Sequence, residues 1–164
     1  MKRVLITGVS GTGKSSVTAA LVARGFEAVD ADDPEFSHLV GVADEELTGV
    51  GSGADWVWRE DRISDLLADH TDGLLFVSGS SPNQGSFYDR FDHVVLLTAP
   101  PDLIAERLAT RTTNDFGKDA DELARALQLQ REIEPLLRRG ADLELNTTAP
   151  LDEVIAAILR HVGA

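Results

Sequence analysis

The string GVSGTGKSS, residues 8–16, constrains this chain more than any other stretch. Gly8, Gly11 and Gly13 fall within six positions, directly ahead of Lys14, Ser15 and Ser16, and the apolar run VLIT leads into them. Gly8, four residues, then Gly13-Lys14-Ser15 fit G-x-x-x-x-G-K-[ST], with a strand pattern before and a helix pattern after, as the mechanism of that motif requires. Glycines let successive backbone N–H groups converge on an anion that a Cβ would push away. The helix N-terminus adds partial positive charge and Lys14 adds a mobile cation. The expected ligand is a nucleotide triphosphate tail, ATP, held by Gly8, Gly11, Thr12, Gly13, Lys14, Ser15 and Ser16, with the Ser15 hydroxyl on Mg²⁺.

Around this loop the chain alternates two periods. KRVLIT (2–7), FEAVDADD (26–33), LLFVSG (74–79), HVVLLTAPP (93–101) and ADLEL (141–145) read as strands, and the most apolar of them have the character of strands covered on both faces. Helical period runs from Lys14 to Arg24, with Gly25 as the stop, from Asp55 to His70, and from Leu151 to Val162. The last is the clearest: Leu151, Val154, Ile155, Ile158, Leu159 and Val162 recur at steps of three and four, with Asp152 and Glu153 in the first turn. This alternation predicts an α/β fold of three layers, a parallel five-stranded sheet with helices on both faces, and a ligand crevice at the carboxyl ends of the strands. At 164 residues a single domain over 1–164 is expected. The stretches 40–54 and 111–121 lack periodicity; the expectation is a mobile acceptor-side segment at about 34–62 and a lid at about 111–121.

Acids that close a predicted central strand occur only in VDADD, as Asp30, Asp32 and Asp33. As strand residues two apart, Asp30 and Asp32 are expected on one side of the chain. Such a pair can divide labour between a water-bridged magnesium and the hydroxyl of an acceptor. An N-cap and turn cluster ahead of Pro34 is the plainer alternative, and it suits Asp33 best.

With these residues in view the chain resembles the small P-loop kinases of the shikimate kinase, gluconate kinase and adenylate kinase group. GVSGTGKSS is similar to their Walker A string, and VDADD to the D-x-D element after the second strand of shikimate kinases. The resemblance implies that Asp30 helps to hold magnesium and Asp32 contacts substrate hydroxyls. It also implies a lid whose arginines reach the nucleotide; Arg107 and Arg111, four apart on one helical face, match that place, with Lys118 beyond Gly117. The chain departs from shikimate kinases where SGSSPNQGSFYDRF replaces their glycine triplet, and the basic residues for a carboxylate substrate have no obvious match.

Acceptor contacts are expected from Asp32, from Ser80, Asn83 and Gln84 in the loop after LLFVSG, and from Arg59 and Arg62 with Trp56 and Trp58 in DWVWREDR. The alternatives are an ordinary polar turn for the first group and core aromatics with a solvated face for the second. NTTAP (146–150) precedes the last helix, where the family places a loop against the adenine.

The balance of 15 Lys and Arg against 28 Asp and Glu, net −13, disfavours a nucleic-acid surface, because phosphate neutralisation needs clustered cations. With no cysteine there is neither a disulfide nor a thiolate metal site, and MKRVLITG enters a strand directly, so a soluble cytoplasmic protein without signal peptide or membrane span is expected. The reading that results is an ATP- and Mg²⁺-dependent kinase that moves the γ-phosphoryl group to a small-molecule acceptor, with Lys14, Asp32, Arg107 and Arg111 as catalytic residues. A nucleoside monophosphate kinase and a nucleotide-dependent ATPase switch or binding module are the competing readings.

Overall fold

A computed structural model describes residues 1–41, 54–112 and 115–164. In chain order the elements are β1 (Lys2–Thr7), α1 (Lys14–Ala23), β2 (Glu27–Asp30), β3 (Ser37–Gly41), β4 (Ala54–Trp58), α2 (Glu60–Asp69), β5 (Leu74–Ser78), β6 (His93–Thr98), α3 (Pro101–Thr110), α4 (Ala120–Gly140), β7 (Leu143–Asn146) and α5 (Leu151–Val162), with a 3-10 turn at Gln84–Arg90. Five strands form one parallel sheet in the order β2-β5-β1-β6-β7. The glycine-rich string 8–16 therefore leaves the central strand and enters α1, at the carboxyl edge where an open parallel sheet places its ligands.

The apolar runs are continuous because their two faces meet different helices. Val4 and Ile6 of β1, Phe76 of β5, and Val95 and Leu97 of β6 pack on Val17 and Leu21 of α1 and on Val154, Ile155, Ile158 and Val162 of α5. Leu5, Leu75, Val77 and Val94 point the other way, onto Ile63 and Leu67 of α2 and onto Trp58. Leu96 on that same face meets Ile104 and Leu108 of α3 and Ala126 and Leu137 of α4. This is the three-layer α/β arrangement that the alternation of periods predicts. The α5 stripe is buried at Val154, Ile155, Ile158 and Val162, and the helix stops at Gly163, whose φ of 74° is left-handed.

Three elements differ from expectation. Residues 54–58 are not the start of a helix: they form β4, antiparallel to β3, and α2 begins only at Glu60. Trp58 is the physical reason, since its ring goes to the core while its backbone N–H and C=O bond the side chain of Asn83. The expected aperiodic stretch 40–54 thus begins and ends in paired strand; its residues 42–53 lie outside the described residues. In the 111–121 stretch Asp119 caps α4, its side chain accepting from the Glu122 N–H at 2.8 Å, and residues 113 and 114 lie outside the described residues.

No described helix is long and apolar enough to cross a membrane. Ile158 is fully buried between α5 and the sheet, whereas Leu151 is 42% exposed. Ile158→Ala is expected to lower unfolding free energy by about 2–5 kcal/mol and Leu151→Ala by less than about 0.5 kcal/mol, read from urea unfolding curves.

Candidate active site

The loop after β1 is pressed onto the end of the sheet. A Cβ on Gly8 would stand 2.5 Å from the Leu97 carbonyl oxygen and 2.7 Å from Thr12 Oγ1. One on Gly11, whose φ is 85°, would stand 3.1 Å from Ile104 of α3. Gly13, with φ 99°, is the N-cap of α1 in a left-handed conformation that β-carbon residues rarely adopt. Ser15 and Ser16 follow in the exposed first turn of α1. Lys14 folds over the loop, donating from Nζ to the Gly8 carbonyl at 2.5 Å and to the Val9 carbonyl at 3.2 Å. Burial pushes its ammonium below the ordinary lysine range, against the opposing pull of Asp32 and Asp30.

A cleft of about 530 Å³ opens over this loop, and Lys14, Ser15, Asp30, Asp32, Arg107 and Arg111 all line it. Asp30 ends β2, but Asp32 is not its strand-mate. The chain turns after Asp30, whose Oδ1 accepts the Asp32 N–H at 3.0 Å, so a local turn brings the two carboxylates together where strand alternation was expected. Asp32 is then fixed by residues distant in sequence: Trp58 Nε1 donates to Oδ1 at 3.2 Å and the Ser80 N–H reaches both oxygens at 3.1 Å. Gly79 leaves room for this seat, since a Cβ there would lie 2.8 Å from Asp32 Oδ1 and 3.0 Å from the Trp58 ring. Burial raises the pKa of Asp32 above the ordinary carboxylate range, opposed by Lys14, Trp58 and Ser80. Asp30 is raised as well, by burial and by the charges of Asp32 and Asp33 against the bond from the Asp32 N–H.

That crowding of half-buried carboxylates fits a hard divalent cation. The Ser15 hydroxyl and the Asp30 and Asp32 carboxylates are all-oxygen donors on one cleft, the set that Mg²⁺ takes.

Arg107 is a strut. Its guanidinium donates to the Gly11 carbonyl at 3.2 Å, to Thr147 Oγ1 at 2.8 Å and to the Thr147 carbonyl at 2.7 Å. Thr147 Oγ1 in turn donates to the Thr12 carbonyl at 2.8 Å. The NTTAP loop, the phosphate loop and α3 are thereby tied into one wall of the cleft. Arg111 donates to the Phe116 carbonyl at 2.7 Å while lining the cleft, and Lys118 pairs with exposed Asp115 at 3.4 Å.

Other expected contacts lie elsewhere. Arg59 donates weakly to the Ser37 carbonyl at 3.4 Å and Arg62 is exposed on α2; neither lines the cleft. Asn83 spends its amide on the Trp58 backbone and on Ser81 Oγ. Gln84 is buried, bonded to Ser81 N–H, Thr7 Oγ1 and Tyr88 OH. Both amides therefore brace the loop that carries Ser80, and Ser80 itself contributes its backbone N–H to Asp32. Trp56 Nε1 donates to the Asp32 carbonyl at 3.0 Å, steadying the same turn from outside. Gly79 and Thr147 carry parts of the site that sequence reasoning missed as individual residues. Their only sequence signals were a glycine closing LLFVSG and a hydroxyl in a helix entry.

The chain is 26% identical over 156 residues to a protein of Fervidobacterium nodosum named nucleotide-binding protein, an overlap of 88% of this chain and 47% of that one. It spans about half the length of the curated relatives it matches. Among solved structures it is similar to shikimate kinase from Acinetobacter baumannii in complex with shikimate, with TM-score 0.64 and 19% identity over 99% of this chain and 93% of the other. It is also similar to a gluconokinase from Sinorhizobium meliloti, with TM-score 0.53 and 19% identity over 94% and 87%. These likenesses bear out the expected P-loop kinase fold. The family described as AAA domain matches residues 4–128, from β1 through the phosphate loop into α4, and the chain belongs to that family.

Proposed function

We propose that the chain is a Mg²⁺-dependent phosphotransferase that moves the γ-phosphoryl group of ATP to the hydroxyl of a small acceptor carrying no negative charge. The observation that carries this reading is Asp32, a half-buried carboxylate aimed by Trp58 and the Ser80 N–H into the cleft that also holds Lys14. In this reading the amides of residues 8–16 and Lys14 bind the triphosphate, and Ser15 and Asp30 hold the metal. Bound Mg²⁺ neutralises charge developing on the phosphates. Asp32 accepts the hydroxyl proton, Arg111 faces the transferring group, and Arg107 positions the loop. The whole described chain serves as one kinase domain, with residues 34–62 on the acceptor side and 111–121 as its lid.

The charge of the acceptor follows from the cleft walls. Asp30, Asp32 and Asp33 line one side, and the lining cations Lys14, Arg107 and Arg111 belong to the phosphate loop and α3 with its C-cap. A carboxylate or phosphate acceptor would find no dedicated counter-charge among the described residues, which speaks against a nucleoside monophosphate. The names and greater length of the curated relatives favour a second reading, a nucleotide-binding module of a larger protein. Purified protein with ATP and Mg²⁺ is expected to consume ATP faster with neutral or amino polyols than with sugar acids or nucleotides. Slow hydrolysis indifferent to every acceptor would favour the module.

Asp32→Asn is expected to depress kcat by about 10²–10⁴-fold while ATP affinity, by calorimetry, stays within about twofold. Asp30 and Asp32 have folded pKa values raised above those of free carboxylates, so folding favours their protonated forms. Stability present at low pH is thus lost as pH rises through the raised values, and Asp32→Asn is expected to keep or raise Tm at neutral pH. For the same reason the acid limb of kcat/KM should fall above the ordinary carboxylate range.

Arg107→Ala removes the three bonds to Gly11 and Thr147. It is expected to weaken ATP binding by roughly tenfold, and Arg107→Lys to restore little of it, because an ammonium cannot span both partners.

A further inference from the structure

At the amino-terminal end of the sheet, away from the cleft, three side chains from separate elements converge. His93 opens β6, Asp142 precedes β7, and His161 lies in the last turn of α5. His93 Nδ1 is 3.0 Å and His161 Nε2 is 3.2 Å from the same oxygen, Asp142 Oδ2. One ligand atom from each of the three residues lies within 4.8 Å of the other two, with the imidazole rings edge to face at 5.1 Å. We propose that His93, Asp142 and His161 form a site for a first-row transition-metal dication of the zinc type.

Zinc bonds of about 2.0–2.2 Å put tetrahedral ligand atoms roughly 3.3 Å apart. The two nitrogen-to-oxygen separations already have that length, and the third edge closes by a small swing of partly exposed rings. The carboxylate is pre-aimed: Asp142 Oδ1 accepts the Val94 N–H at 2.7 Å, and the Asp142 N–H donates to the Val94 carbonyl at 2.9 Å. Ligands that carry an outer partner of this sort hold metal in a fixed orientation. Side-chain exposures of 22% for His93, 43% for Asp142 and 29% for His161 leave the ion a route and a fourth position for water. Two imidazoles select zinc, cobalt, nickel or copper over the magnesium suited to the all-oxygen cleft. The ion would clamp the end of α5 to the start of β6, at the far end of the helix whose Leu151 and Val154 line the cleft.

The test uses tag-free, chelator-treated protein titrated with ZnCl₂ by calorimetry and with CoCl₂ by visible absorption. The Asp30→Asn variant serves as background, to silence the cleft. One equivalent of zinc is expected to bind and to raise Tm by several degrees, and cobalt is expected to develop the intense visible bands of a nitrogen-ligated tetrahedral ion. His93→Gln and His161→Gln should each weaken zinc by at least tenfold, with far-ultraviolet circular dichroism unchanged. Zinc isotherms that coincide for the background and the double histidine variant would overturn the site. A cobalt spectrum of the background protein no different from the aqueous ion would overturn it too, whatever the fold of the variants, and would leave the triad as a hydrogen-bonded cluster.

Discussion

The absence of a side chain at Gly8 is the constraint on which the rest of the site depends. With the Leu97 carbonyl oxygen 2.5 Å from where a Cβ would sit, the loop lies directly against the end of β6. Gly11 repeats the close approach against Ile104 and Leu108 of α3, and a Cβ on Gly117, just ahead of α4, would stand 2.9 Å from the Leu108 side chain. Val9, between the first two glycines, is buried with Leu96, Ile104 and Leu108. The loop's amides are thus oriented by the hydrophobic core beneath them, and the Arg107–Thr147 strut ties the same loop to the segment ahead of α5. Preorganisation of this sort reduces the ordering that a bound phosphate tail must otherwise enforce.

Electrostatics runs against folding in the same place. Lys14, Asp30 and Asp32 are each shifted by burial toward their neutral forms, so their charges are held there at a cost to the empty protein. The hydrogen bonds from Trp58, Ser80 and the Asp32 N–H offset part of it. Strain of this kind gathers where ligands supply the missing counter-charge, and the apolar layers on both sides of the sheet provide the stability that tolerates it.

Much of this was legible in the residues. The glycine-rich loop, the alternation of strand and helix and the α5 stripe are local patterns and were read in the right order, although the strand read over 26–33 ends at Asp30 and the helix read from Asp55 begins at Glu60. Asp30 and Asp32 were rightly paired in space for the wrong reason: a turn, and not a pleat, joins them. DWVWREDR misled because the helical stripe of Ile63, Leu66 and Leu67 was extended back to Asp55, across a stretch too short for its strand period to stand out. Asn83 and Gln84 misled because a polar residue in a loop at the active edge carries no mark of which way its amide faces.

By itself the sequence determined the glycine-rich loop, the five strand segments and the helix that buries Ile158, since each depends on residues adjacent in the chain or one helical turn apart. Only the tertiary structure decided which polar groups face the cleft and which brace it. Trp58 meets Asn83 across 25 residues, Arg107 meets Thr147 across 40 and His93 meets Asp142 across 49. A hydrogen bond leaves no trace in local periodicity when its partners are joined by the folding of the sheet alone, so those pairings became visible only once the strands were in order.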